Sequence, residues 1–220
     1  METIPTKQKI MEQALRLFAQ KGFDAVSVEQ IATAVGIKAP SLYKHYKSKQ
    51  AIFEAIFAEM QRRYDAQTLA MELHISAAGR DDALFAGIGV EELIQRVKAL
   101  IVYSLHDEFV SRFRRLLTIE QFRSPELAAL YTERYVMRIL HYHEILFHDM
   151  IQQGALRAAD PRAIAWQYVS PILVLLSVCD RQPEREGEAM REMEAHIRQF
   201  YAIYQPQTPQ HEARNGERQE

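Results

Sequence analysis

The chain has 220 residues, 48% of them apolar and 25% charged, with 8 Gly, 8 Pro, a single Cys and a formal net charge of −2. This composition excludes a wholly disordered, collagen-like or disulfide-stapled polypeptide, and the length supports one large domain or two small ones around a sizeable core. One cysteine forms no internal bridge, which fits a reducing cytoplasm, and the near-neutral total on its face argues against a polyanionic partner.

The first thirteen residues, METIPTKQKIMEQ, lack an apolar run ending in small cleavage-site residues, so no secretory signal is expected. Ile10, Ala14, Leu17, Phe18 and Lys21 fall at three- and four-residue steps, which predicts an amphipathic helix over 7–21 that Gly22 terminates. Ser27 and Gln30 have capping-box spacing, flanked by Val26 and Ile31 as a hydrophobic staple, so a helix starts at Val28 and ends at Gly36. Pro40 is a favoured first-turn residue and opens a brief helix through Tyr46. Ser48 caps a longer helix expected to reach about residue 77.

A loop with Gly79, Gly87 and Gly89 follows; Glu92 stands where a dinucleotide fingerprint needs its third glycine. Further helices are predicted over 91–107, 108–123, 124–153, 161–179 with a kink at Pro171, and 186–204. The tail from residue 205 is almost devoid of apolar side chains and is expected to be disordered. The fold class is therefore all-α, with about nine helices: an N-terminal three-helix unit over 1–47, a larger helical body over 48–204, and the tail over 205–220.

The charge is unevenly spread. Residues 1–50 carry eight bases and four acids, a net +4, while the other 170 carry 19 bases and 25 acids, a net −6. Four lysines and no acid lie between Lys38 and Lys49. A local basic patch is the footprint of phosphate binding whatever the whole-chain sum. Two short helices joined by a tight turn with Gly, the second one basic, are the ingredients of a helix-turn-helix, whose second helix enters the DNA major groove.

The stretch SVEQIATAVGIKAPSLYKHYKSKQAIFEAI resembles the N-terminal helix-turn-helix of the TetR/AcrR family of transcriptional repressors, over about residues 6–57. The resemblance implies that Lys38, Ala39, Pro40, Ser41 and Lys44 face bases. It places Ser27, Tyr43, His45, Tyr46 and Lys49 at phosphate-contacting positions. Helix N-termini at Val28 and Lys49 offer free N–H groups to phosphate oxygens, as that role requires. Packing within the small domain is expected to claim either Tyr43 or Tyr46. Ala39 brings no hydrogen-bonding group, so base reading falls to Lys38, Ser41 and Lys44, with thymine-methyl contact from Ala39 or Pro40.

The implied partners are a pseudo-palindromic double-stranded DNA operator, a second copy of the chain and a small-molecule effector, with no cofactor and a cytoplasmic location. The segment 163–179 falls short of the roughly 20 apolar residues of a membrane span and reads as a helix covered on two sides. Family resemblance makes the last two helices a dimer interface, with Ile172, Leu176, Met193, Ile197 and Phe200 as candidates. Met60, Tyr64, Tyr103, Phe113, Tyr142, His143, Trp166 and Gln167 are candidates for an effector pocket suited to a hydrophobic or aromatic ligand.

Two other readings stand beside this one. His141, Glu144 and His148 share a helix face, as a helical metalloprotein would need, but their spacing matches no established metal motif, and no metal is assigned. No nucleophile–base pair or phosphate loop appears, so no catalytic residue is assigned and an enzyme is not expected. A family member governed by a protein partner instead of a small molecule is the remaining alternative.

Overall fold

A computed structural model describes residues 4–70 and 88–206 of the chain, and every structural statement below concerns these residues. The end of the helix predicted over 48–77, the loop positions Gly79 and Gly87, and most of the predicted disordered tail lie outside them. The elements are α1 (Thr6–Lys21), α2 (Val28–Val35), α3 (Ala39–Tyr43), α4 (Lys49–Ala70), α5 (Val90–His106), α6 (Glu108–Glu120), α7 (Pro125–Thr132), α8 (Arg138–Gln152), α9 (Pro161–Arg181) and α10 (Glu186–Tyr204). A π turn, Glu133–Met137, joins α7 to α8 without a break, so nine helical rods are described, all-α as predicted.

The helix starts follow the predicted chemistry. Ser27 accepts from the Gln30 backbone N–H while the Gln30 side chain accepts from Ser27 N–H, the complete capping box. Asp107, Ser124 and Asp160 cap α6, α7 and α9 in the same sense. Gly36 takes the left-handed conformation (φ 81°, ψ 30°) that ends α2, and Ile37 N–H reaches back to the Ala32 carbonyl, so the turn into α3 is closed by hydrogen bonds.

Burial divides the chain into two cores. The first joins α1–α4 with α6 through Ile10, Phe18, Ile31, Leu42, Ile52, Ile56, Phe113 and Leu117. The second joins α5, α8, α9 and α10 through Ile94, Leu146, Phe147, Tyr168, Val169, Met193, Ile197 and Phe200. Helix α6 packs directly on α1 and α4, which is how the body of the molecule holds the N-terminal unit.

Helix α9 departs from expectation. It runs 21 residues, and by length and apolar composition it reaches the dimensions of a membrane span. Within the single chain it is not covered on two sides: Ile164, Ala165, Tyr168, Val169 and Cys179 are buried, but Trp166 is 45% and Val174 60% exposed. Pro171 is accommodated inside the helix. One apolar flank of α9 therefore remains uncovered. Cys179 is buried, and burial raises its thiol pKa, so it packs as a small apolar group.

Candidate nucleic-acid interface

The basic segment forms one exposed edge. Leu42 is fully buried and anchors α3 to the first core, which turns the rest of α3 outward. Lys38, Pro40, Tyr43, Lys44, His45 and Lys47 are exposed, with Tyr43 at 48%. Ser41 and Ala39 are half-buried, and Ala39 packs against the first core. Ser27 is exposed at the α2 N-terminus, where its hydroxyl accepts the Gln30 N–H and the Glu29 carboxylate draws on its own backbone N–H. Lys47, counted in the basic patch but given no contact role by the resemblance, is exposed two residues after His45.

Two predicted phosphate contacts are turned inward. Tyr46 is buried, and its hydroxyl donates to the Lys7 carbonyl at 3.3 Å, so it is the tyrosine that packs within the domain. Lys49 donates from Nζ to the carbonyls of Phe23 (2.9 Å) and Val26 (3.0 Å), and lies 4.3 Å from the Phe23 ring centre. Two of its N–H donors are thereby committed to holding the α1–α2 loop.

The same loop is gripped from the other side. Glu120, at the end of α6 and buried, accepts from Phe23 N–H at 2.8 Å. Gly22 sits at φ 85°, ψ 161°, a region open essentially only to glycine, and a Cβ there would meet Glu120 Oε1 at 2.5 Å. The loop that positions α2 and α3 is therefore clamped between the N-terminus of α4 and the C-terminus of α6. Nothing in the sequence announces this contact, which spans 97 positions.

Further along α6, Arg114 is buried and grips Asp180 of α9 with Nε and Nη2, at 2.5 and 2.7 Å, while Nη1 donates to the Ser104 carbonyl. Helix α6 thus links the loop behind α2–α3 to the far end of α9.

The eight predicted pocket residues do not gather in one place. Met60 and Phe113 are fully buried in the first core, with Tyr64 and Tyr103 packed against it. Tyr142 and His143 belong to the second aromatic cluster, in which His143 lies 5.1 Å from Tyr168 and Phe147 5.4 Å from Phe200. That cluster borders a cavity of about 80 Å³. Trp166 lies in an open groove beside Arg138, His141 and Arg162, and Gln167 is exposed and accepts from the Tyr204 hydroxyl. Periodicity marks apolar faces but does not say which face meets which, and these eight residues line no single cavity among the described residues.

Three of the five interface candidates turn inward. Met193, Ile197 and Phe200 are buried in the chain's own second core and present nothing to a partner. Ile172 and Leu176 are half-buried and remain available, and the uncovered apolar surface beside them is Trp166 and Val174, with Ile203 on α10. Among the described residues no three His, Cys, Asp or Glu side chains converge on a metal position, and His148 instead faces Asp149 at 3.0 Å.

Burial drives the His143 pKa down to about 4, partly countered by its bond to the Ile139 carbonyl. A carbonyl only accepts, so Nδ1 carries the proton and the ring is neutral. The unfolded chain protonates near 6.5 and the folded one near 4, so stability falls as pH drops through that window, by up to about 3 kcal/mol. Denaturation at pH 7 and pH 4.5 should show a smaller loss for His143→Phe than for the unaltered chain; an equal loss would place the acid-labile group elsewhere.

Comparison with known proteins agrees with this geometry. Residues 10–56 match the model for bacterial regulatory proteins of the tetR family, and residues 91–206 match the AefR-like transcriptional repressor C-terminal domain. The chain is 24% identical over 202 residues to the HTH-type transcriptional regulator YttP of Bacillus subtilis, covering 91% of this chain and 89% of that one. It is 46% identical over 48 residues to IcaR of Staphylococcus aureus, the negative transcriptional regulator of the icaADBC biofilm operon, covering 22% of this chain and 26% of that protein. Among solved structures it resembles SmeT, the repressor of the Stenotrophomonas maltophilia multidrug efflux pump SmeDEF, with TM-score 0.63 and 20% identity, covering 94% of this chain and 95% of that one. SmeT is also solved with triclosan. AibR, solved with isovaleryl coenzyme A and operator DNA, has TM-score 0.60 and 19% identity, with 87% of this chain and 97% of that one covered.

Proposed function

This chain belongs to the tetR family of bacterial regulatory proteins, and we infer that it is a repressor whose α3 edge reads a pseudo-palindromic operator and whose helical body releases that operator when a small molecule binds. The observation that carries the reading is the exposed row Lys38, Pro40, Tyr43, Lys44, His45 and Lys47, displayed by a capped, core-anchored helix-turn-helix.

The site residues take these roles. Lys38, Ser41 and Lys44 address base edges, with Pro40 against a thymine methyl. Tyr43, His45, Lys47 and Ser27 address phosphates, and Lys49 positions the loop behind them. Two copies are joined along the uncovered flank of α9 and the edge of α10, through Trp166, Ile172, Val174, Leu176 and Ile203. This pairing is supported by the exposed apolar surface and sets the two α3 helices about one DNA turn, ~34 Å, apart. A cytoplasmic location follows from this role.

Effector control is supported by the relatives: SmeT is solved with triclosan and AibR with isovaleryl coenzyme A. In this chain an effector favouring a displaced α4 or α6 would shift the population away from the operator-bound spacing, because Lys49 and Glu120 clamp the loop between them. Selection of bound duplexes from a random DNA library tests the reading. It should return a motif with two inverted half-sites about one helical turn apart. A bound pool without any inverted repeat would contradict it.

A further inference from the structure

We propose that the π turn between α7 and α8 is an oxyanion site, in which Arg134 receives the carboxylate of the effector. The proposal rests on the reading of the chain as an effector-responsive repressor, and it names the chemical class of that effector.

Three buried hydrogen-bond donors stand without an acceptor there: Arg134 Nε, Arg134 Nη2 and the Tyr135 hydroxyl. Arg134 is only 8% exposed. Its third nitrogen, Nη1, donates to the Gln61 side-chain oxygen, and its guanidinium lies 4.9 Å from the centre of the Tyr64 ring. Asp65, the acid whose charge reaches Arg134, pairs instead with Arg138 at 3.8 Å. A buried cation with two unanswered N–H groups is costly to the fold, and a natural sequence retains such a group where something else answers it.

The free edge defines what answers it. Nε–H and Nη2–H are the parallel pair with which a guanidinium grips a carboxylate side-on. The same molecule shows this grip twenty residues earlier, where Nε and Nη2 of Arg114 hold both oxygens of Asp180. Arg134 presents that edge with no carboxylate on it. The neighbouring Tyr135 hydroxyl is also unpartnered, but it faces a different space, a cavity of about 70 Å³ bordered by Arg114 and Asp180. Two parallel N–H donors on one buried cation call for an anion, and the flat fork calls for a planar one.

The backbone supports the assignment independently. Both residues sit in Glu133–Met137, the π turn, which inserts an extra residue and rotates the following side chains relative to a regular helix. Such turns are concentrated at functional sites, and this one carries all of the buried unpartnered donors found among the described residues.

The test uses the full chain and its R134M variant, with acetate, benzoate and octanoate as probes and acetamide, benzamide and octanamide as neutral controls at constant ionic strength. At least one carboxylate should raise the melting temperature of the unaltered chain by several degrees more than its amide. R134M should lose that response and bind the same carboxylate at least about tenfold more weakly. Without probe, R134M should melt no lower than the parent, since Met fills the space without an unpaired charge. Equal effects of carboxylates and amides, a response that survives in R134M, or a markedly less stable R134M would each overturn the proposal. Operator binding by the unaltered chain is measured alongside: its absence defeats the repressor reading itself, whereas operator binding with no carboxylate preference defeats this inference alone.

Discussion

Replacing Tyr43 and Lys44 together by alanine should lower operator affinity by roughly two to three orders of magnitude, from the loss of one base contact and one phosphate contact worth about 1–3 kcal/mol each. Both side chains are exposed and make no hydrogen bond that holds α3 in place; Leu42 does the anchoring. The circular dichroism spectrum and melting temperature should therefore be unchanged, so the loss reads as recognition. The single variants should differ in kind. Tyr43→Ala should weaken binding to all duplexes alike, whereas Lys44→Ala should also broaden the preferred half-site. Quantitative binding to the selected operator and to single-base variants checks both points. Unchanged affinity in the double variant would remove α3 from the interface.

The largest stability effect belongs to Arg114. Arg114→Ala leaves Asp180 without its bidentate partner and the Ser104 carbonyl without its donor, deep between α6 and α9. Breaking a buried pair from one side typically costs about 3–5 kcal/mol, mainly because the surviving charge is stranded. In a chain of this length that lowers the melting temperature by roughly 10 °C. The double replacement Arg114→Leu with Asp180→Leu should be much milder than either single change, since no charge is then stranded. Thermal denaturation of the three variants decides this: equal losses in all of them would mean the pair acts through packing alone.

The local features were readable in the sequence because each is set by a few adjacent residues. The Ser27–Gln30 box, the Gly36 turn and the outward row from Lys38 to Lys47 follow from caps, a left-handed glycine and helical spacing. What was not readable depends on which distant surfaces meet. Met193, Ile197 and Phe200 form a correct apolar stripe, but the stripe closes on α8 and α9 of its own chain, and no pattern within α10 tells a neighbour from a second copy. Glu120 looks like one more acid at a helix end until the fold places it under Phe23 N–H. Lys49 counts as a free charge in the sequence and proves to be a loop anchor. The π turn leaves no trace in the periodicity, because one inserted residue looks like an ordinary imperfection in an amphipathic pattern.

The split of charge, +4 over the first 50 residues and −6 over the remaining 170, orients the molecule with its lysine edge toward the duplex and its acidic body away from it. The salt dependence of operator binding tests that claim most directly. Between 50 and 200 mM salt, the logarithm of the association constant should fall linearly with the logarithm of salt concentration, with a slope that becomes shallower by about one when an exposed phosphate-contacting lysine such as Lys47 is replaced by alanine. A flat dependence, or a slope untouched by loss of Lys47, would contradict the account.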